Sequence, residues 1–322
     1  YASIVNDYPA GEYTIVPMYS SSDNEYVKLI NSIHNNQNII VNLDLSKVTG
    51  IENIKNCFST YPEIKNIKSI ILPSSTKKLC QMAFYNWTGL TKIVFPDSLE
   101  EIEYSVFTND VNLHGDVYVS KKLQTIASFA GANFDTLTVS DENPNYSSYN
   151  GILLSKDKKK ALALVGQKEF ENANGIIPTS VEEISYNCFS YSNISKVTLP
   201  TTLKEIGMSA FYQCKNLESI VIPYSVTKIG QMAFAQCTSM KYADLSQSSI
   251  LETGDSQFSG NTALLTLKLP NGIKKIGASL CMSCSNLETI EIPPTVTEIG
   301  NYAFFGCNKI SFDNSSLSNL IS

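Results

Sequence analysis

The pair of residues in this chain that most invites a chemical reading is Cys281-x-x-Cys284. Two thiols at that spacing can form a redox disulfide or supply half of a zinc site. A zinc site normally takes a second such pair, and the sequence has none. Only two histidines are present, His34 and His114. Neither has the spacing of a zinc hydrolase, and no G-x-S-x-G, P-loop or G-x-G-x-x-G string occurs. Carboxylates are more plentiful. Glu100-Glu101 and Glu182-Glu183 are adjacent pairs that acid–base hydrolysis of a glycan could use. Asp141-Glu142-Asn143 offers oxygens of the kind that hold Ca²⁺. The plainer reading of the Glu pairs is solvated turn charge, because each ends beside Ile102 or Ile184 in a column that elsewhere carries Lys204-Glu205 and Thr227-Lys228. The plainer reading of 141–143 is the entry to an insertion. The expectation is no catalytic residue, no metal and no cofactor.

The elements that position these residues form a repeat. Taking the residue after each strand-like run as an anchor gives Ser46, Pro73, Pro96, Ser120, Ser140, Pro178, Pro200, Pro223, Ser246, Pro270 and Pro293. Most intervals cluster at 23 residues, with a short coil at 120–140 and a long one at 140–178. A period of this length marks a solenoid, in which each unit buries its apolar face only by stacking on its neighbours. In the coil Leu217–Cys237, Leu217, Ile220 and Ile222 point inward while Ser219 and Val221 point outward, as strand alternation requires. Gly230, like Gly207, Gly277 and Gly300, stands at a turn where a positive φ or a close backbone approach is expected. An aromatic column runs through Phe58, Phe84, Phe107, Phe211, Phe234, Phe258 and Phe304. The cysteines fall into this register. Cys214, Cys237, Cys284 and Cys307 each follow the Phe column by three residues, and Cys281 occupies the column itself. Cys57 and Cys188 take the Ala position before it, and Cys80 the Gly position. The apparent C-x-x-C is therefore expected to be two repeat columns of small buried thiols.

Before the array, residues 1–38 read as an irregular lead-in followed by a capping helix. Ser22 or Asp23 is the expected N-cap, and Val27, Leu29, Ile30 and Ile33 the apolar stripe. The repeats occupy 39–312 in about eleven coils, and 313–322 form a polar tail. Within 141–175 the runs 151–155 and 161–165 read as a β-hairpin that projects from the solenoid or packs beside it, with helix the competing assignment for 161–165.

Composition narrows the function. The net charge is −6 and all 24 basic residues are Lys. Without the planar guanidinium, recognition of phosphate or guanine is disfavoured, and so is a nucleic-acid partner. No run has the roughly 18 apolar residues of a membrane helix. The chain starts at Tyr1-Ala2-Ser3-Ile4 with no signal segment, a start compatible with a leader already removed.

The strings Ile194, Val197, Leu199, Pro200, Leu203, Ile206, Gly207, Ala210, Phe211, Cys214 and Leu287, Ile290, Ile292, Pro293, Val296, Ile299, Gly300, Ala303, Phe304, Cys307 resemble the leucine-rich repeats of the BspA-like, or Treponema pallidum, type. The resemblance covers roughly 40–312 and is weakest at 97–140. It implies an α/β-type repeat solenoid: right-handed leucine-rich-repeat coils with a parallel β-sheet on the concave face and an irregular convex side of short strands and turns. It also implies a secreted or cell-surface protein, typically bacterial, that adheres to host protein, other cells or glycan without catalysis. A leader or anchor would lie outside this sequence, and the chain is expected to be a monomer. Candidate contact residues are the outward strand positions Val94, Tyr118, Thr198, Ser219, Val221, Tyr242, Asp244, Lys268 and Glu291, because solenoids usually bind partners on the sheet. The alternatives are a right-handed β-helix enzyme acting on polysaccharide, which needs outward carboxylates clustered on adjacent coils, and a structural spacer.

Overall fold

The structure, a computed structural model, describes residues 5–17, 23–58, 60–110 and 112–310. The proposed N-cap Ser22 and the tail 313–322 lie outside them. The chain divides into two compact units, Tyr1–Gly151 and Ile152–Ser322, and both are built of stacked coils.

In the second unit coils are tied to their neighbours along three edges, though not every pair along all three. The first is the expected parallel ladder, Ser219–Val221, Tyr242–Asp244, Thr266–Lys268 and Thr289–Glu291, paired in order. The second lies where the sequence suggested only a turn. Lys160–Leu164, Glu183–Ile184, Glu205–Ile206 and Lys228–Ile229 form another parallel ladder, continued by Lys275–Ile276 with Glu298–Ile299. The third edge has no strands. There the N–H groups of Ser209, Phe211 and Gln213 donate to the carbonyls of Gln231, Ala233 and Ala235 at 2.9, 2.7 and 2.9 Å. Ser209 and Gln213 have φ of 55° and 56°, which costs a non-glycine residue about 1–2 kcal/mol each. The inter-coil hydrogen bonds made there offset that cost.

Between those left-handed residues Phe211 turns into the core. Its ring stacks on Phe189 at 4.8 Å and on Phe234 at 5.2 Å, and Phe234 stacks on Phe258 at 5.4 Å. Phe304 belongs to the column but is only half-buried. The thiols form a parallel row: Cys214, Cys237, Cys284 and Cys307 each place Sγ 3.1 Å from the carbonyl of the column residue one coil back, Phe189, Phe211, Phe258 and Cys281. All eight cysteines are free thiols. The glycine column answers to close approach and not to φ. A Cβ at Gly230 would stand 2.4 Å from Met208 N, and one at Gly300 2.4 Å from Ala278 N.

The insertion does not project. Ile152–Ser155 pairs antiparallel with Lys160–Leu164, and the latter joins the second ladder beside Glu183–Ile184. Ile152, Leu153 and Leu154 are fully buried, as is Phe170 on the short helix Gln167–Asn172 that follows. The hairpin is thus the first layer of the second unit, and that helix was not anticipated.

The first unit opens with a strand the sequence reading missed. Gly11–Ile15 pairs in parallel with Ile39–Asp44, so the lead-in extends the sheet instead of being irregular. The capping helix is present at Asp23–Asn35. Its buried stripe is Tyr26, Leu29, Ile30 and Ile33, with Tyr26 in the place expected for the half-buried Val27. Phe58 is likewise half-buried and meets His34 edge-on at 5.2 Å, outside the column. The stack here is Phe84, Phe107 and Phe129, with neighbouring centroids 6.0 Å apart. Phe129 had escaped the expected list because its coil is the short one. Phe134 fills that coil, edge-on to Phe107 at 5.8 Å and to Phe129 at 6.0 Å. The second ladder runs unbroken through Asn53–Ile54, Lys78–Leu79, Glu101–Ile102 and Thr125–Ile126. The first ladder does not. Ile39–Asp44, Ile67–Ile71 and Lys92–Val94 pair in order, but Asp116–Val119 pairs only onward, with Thr136–Val139.

Candidate binding surface

The break in the first ladder coincides with one added residue. In regular coils the leading apolar residue precedes the first inward strand residue by three, as in Leu90 to Ile93 or Leu217 to Ile220. Leu113 precedes the buried Val117 by four. Gly115 absorbs the extra residue at φ 101°, and a Cβ there would meet nothing within 4 Å. The glycine serves conformation, not space. The geometry is that of a β-bulge, which re-aims side chains and interrupts pairing. One bond survives, His114 N–H to Thr91 O at 3.0 Å.

Beyond it the strands part around a cleft of about 190 Å³ lined by Lys92, Val94, Phe95, His114, Asp116 and Tyr118, among others. Tyr118 is 51% exposed. Asp116 Oδ1 accepts a hydrogen bond from Thr136 Oγ1 at 2.6 Å. His114 Nδ1 lies 3.0 Å from the carbonyl of Asn133. A carbonyl only accepts, so Nδ1 carries the proton, and in the neutral ring Nε2 is the acceptor. Of the expected contact residues, Val94 and Tyr118 meet here. Lys92, His114, Asp116 and Phe95 were not among them, although the four-residue spacing from Leu113 to Val117 was available as a signal.

The other seven lie on the second unit. Val221, Asp244, Lys268 and Glu291 follow one another in register, and so do Ser219 and Tyr242 in the flanking row. Thr198 is exposed and bridges Ile176. Three of these side chains form a unit. Tyr242 OH donates to Asp244 Oδ2 at 2.6 Å, Lys268 Nζ lies 3.7 Å from the same oxygen, and it sits 5.4 Å from the Tyr242 ring centroid. Partial burial opposes the Asp244 carboxylate, but bonds from Ser246 and Tyr242 and the Lys268 charge outweigh it and hold its pKa below the usual value. Hydrogen bonding to Tyr242 and the Asp244 charge raise that of Lys268. The arrangement is an amphipathic patch of one aromatic ring beside one ion pair.

Of the adjacent carboxylates, Glu101, Glu182 and Glu183 are taken up by the stack, whereas Glu100 is exposed and makes no ion pair among the described residues. Glu182 is paired with Lys204 and, at 2.9 Å, with Lys159, and these bonds lower its pKa. Glu183 meets Lys160 at 2.6 Å. Glu101 and Glu103 share Lys78 at 3.1 and 2.5 Å, so the wider groove of about 360 Å³ that they line carries spent charges. Glu142 pairs with Lys121 at 2.8 Å, and Asn143 donates to the carbonyls of Ser120 and Leu123 at 2.7 and 2.9 Å, tying the entry to the insertion onto the coil before it. Among the described residues no three His, Cys, Asp or Glu side chains cluster as metal ligands, and no helix is long and apolar enough to cross a membrane.

Comparison with known proteins agrees with the fold. No curated protein matches the sequence. A leucine-rich repeat protein from Eubacterium ventriosum superposes with a TM-score of 0.67 at 20% identity, covering 97% of this chain and 86% of that one. The pneumococcal vaccine antigen PcpA gives 0.56 at 20% identity, covering 85% and 79%. A leucine-rich cell surface protein from Faecalibacterium prausnitzii gives 0.51 at 19% identity, covering 97% and 90%. The family model for the BspA type leucine-rich repeat region matches in six copies, over residues 28–150 and 182–311. With the coil register and that match together, the chain belongs to the BspA type leucine-rich repeat family.

Proposed function

We propose that this chain is a non-enzymatic binding and adhesion module of the cell exterior, which contacts host protein, other cells or glycan through its first-ladder faces. The observation that carries the reading is the division of labour around each coil. Carboxylates on the second ladder are neutralised by lysines of adjacent coils, whereas the first ladder presents Val221, 58% exposed, beside the Tyr242–Asp244–Lys268 patch. Aromatic and small polar side chains on a rigid sheet suit contact with protein or glycan. A structural neighbour whose name places it at the cell surface supports the location. The module acts as a monomer.

The test is a binding screen of the purified chain against extracellular-matrix proteins, whole cells and a glycan array, beside a hydrolysis assay on the same glycans. Capture of a matrix protein or a cell, weakened by paired changes at Tyr242 and Asp244, is the expected result. Turnover of any glycan, or no capture of any kind, overturns it.

A further inference from the structure

The cleft beside Gly115 holds an unmet hydrogen-bonding demand. In three intact coil pairs the residue after the first-ladder strand donates its N–H to the next coil: Leu72 to Val94 O at 3.2 Å, Ile222 to Asp244 O at 2.8 Å, Leu245 to Lys268 O at 2.9 Å; in the intact pair that follows, Leu269 makes no such bond among the described residues. Phe95 is the equivalent residue here, and the equivalent acceptor is Tyr118 O. Among the described residues that bond is not made. Phe95 lines the cleft, and its N–H makes no backbone bond among the described residues. Lys92, on the same wall, makes no ion pair among the described residues. Asp116 faces them from the other wall with Oδ1 taken by Thr136 and its second oxygen open.

The lining thus offers an orphaned backbone donor, a lysine, a carboxylate oxygen and an imidazole acceptor, with an exposed phenol ring at the rim. One Lys and one Asp balance in charge, which disfavours a ligand that brings a bare charge of its own. The lining combines donors with acceptors, which suits sugar hydroxyls, since each hydroxyl both donates and accepts. The volume, about 190 Å³, would hold about six waters at roughly 30 Å³ each. That is space for one small ring and too little for an added strand. An aromatic side chain presents a flat apolar face with a polar tip, and Tyr118 does so for the carbon face of such a ring.

We propose that this bulge-built cleft is a subsite for one neutral pyranose unit of an extracellular glycan. The proposal rests on the binding reading above and specifies its ligand. Lys92, the Phe95 N–H and Asp116 hydrogen-bond the ring hydroxyls, and Tyr118 stacks on the ring.

The probes are arrayed neutral glucose-, galactose-, mannose- and xylose-based oligosaccharides, followed by titration of the full chain with the best of them. Tyr118→Ala and Asp116→Asn each weaken binding tenfold or more while the melting curve stays in place. Deleting Gly115 restores the three-residue spacing, closes the ladder and abolishes binding. The pair Tyr242→Ala and Lys268→Ala leaves sugar binding unchanged. Failure to bind any neutral oligosaccharide, binding of acidic glycans or peptides only, or binding indifferent to Tyr118→Ala and Asp116→Asn overturns the subsite. A chain that fails in this way yet still captures matrix protein or cells leaves the adhesion reading standing.

Discussion

Asp110 in the first unit and Asn261 in the second occupy the same place, three residues after a stacked Phe. Each accepts a backbone N–H from the coil before: Asp110 Oδ1 from Trp87 at 2.8 Å, Asn261 Oδ1 from Cys237 at 2.8 Å. They differ in the second side-chain atom. Asn261 rests its amide on the Met240 thioether at 3.8 Å, whereas Asp110 Oδ2 is buried without a partner. Burial pushes the Asp110 carboxyl up to about 8, and the bond from Trp87 offsets only part of that. This position therefore serves as an acceptor in a coil of each unit, and in the first unit it brings a carboxylate into the core.

The largest expected effect comes from separating the two by pH. An unfolded Asp titrates near 3.9, so the folded chain holds the Asp110 proton more tightly. The stability this contributes is fully present below about pH 4 and is lost as pH rises through about 8. Across that interval the loss is of the order of 5 kcal/mol. Denaturant titrations of Asp110→Asn at pH 5 and pH 9 should give nearly equal midpoints, with the parent chain falling well below the variant at pH 9. A parallel fall in both would remove Asp110 as the cause.

Next comes the aromatic stack. Phe234→Ala removes a fully buried ring with neighbours on both sides and should cost about 3–5 kcal/mol in thermal or chemical denaturation. Phe58→Ala, half-buried at the capping helix, should cost clearly less. Equal losses would mean that the column is not what holds the coils.

A smaller contrast concerns the thiols. Cys80 is part-exposed, while the second unit's row is buried and bonded to carbonyls. Burial pushes Cys57 up to about 12 and Cys307 up to about 11. Since the thiolate is the reacting form, a thiol reagent at neutral pH should label Cys80 first and the rest only after denaturation. Rapid native labelling of Cys237 or Cys284 would break the assignment of that row. The smallest effect is expected from Val221→Thr, which should leave the unfolding free energy, read by denaturant titration, within about 0.5 kcal/mol of the parent.

Much of the coil was legible in the sequence because period and burial coincide: Leu217, Ile220, Ile222, Phe234 and Cys237 are all buried as the register requires. Three things were not. The second ladder hid because two-residue strands such as Glu205–Ile206 are too short to alternate. The strand Gly11–Ile15 hid because one turn of chain carries no repeat to compare it with. The cleft hid behind an equal count. Pro96 to Ser120 and Ser246 to Pro270 both span 24 residues. In the second case the extra residue lies in the turn between Leu245 and Ile250, and the ladder Asp244 to Lys268 is intact. In the first it lies inside the strand approach, at Gly115. Interval length alone does not distinguish an inert insertion from one that opens a surface.

Gly115 has a consequence for how such a chain acquires new surfaces. The added residue is confined to one edge of one coil. Glu101 and Ile102 still pair with Thr125 and Ile126, and Phe107 still stacks on Phe129. The second ladder and the aromatic stack act as a firewall, so the added residue is not propagated through them into the next coil. A protein laced along three seams can be unpicked at one of them and stay sewn, which makes each coil a separate plot in which recognition can be tried and discarded.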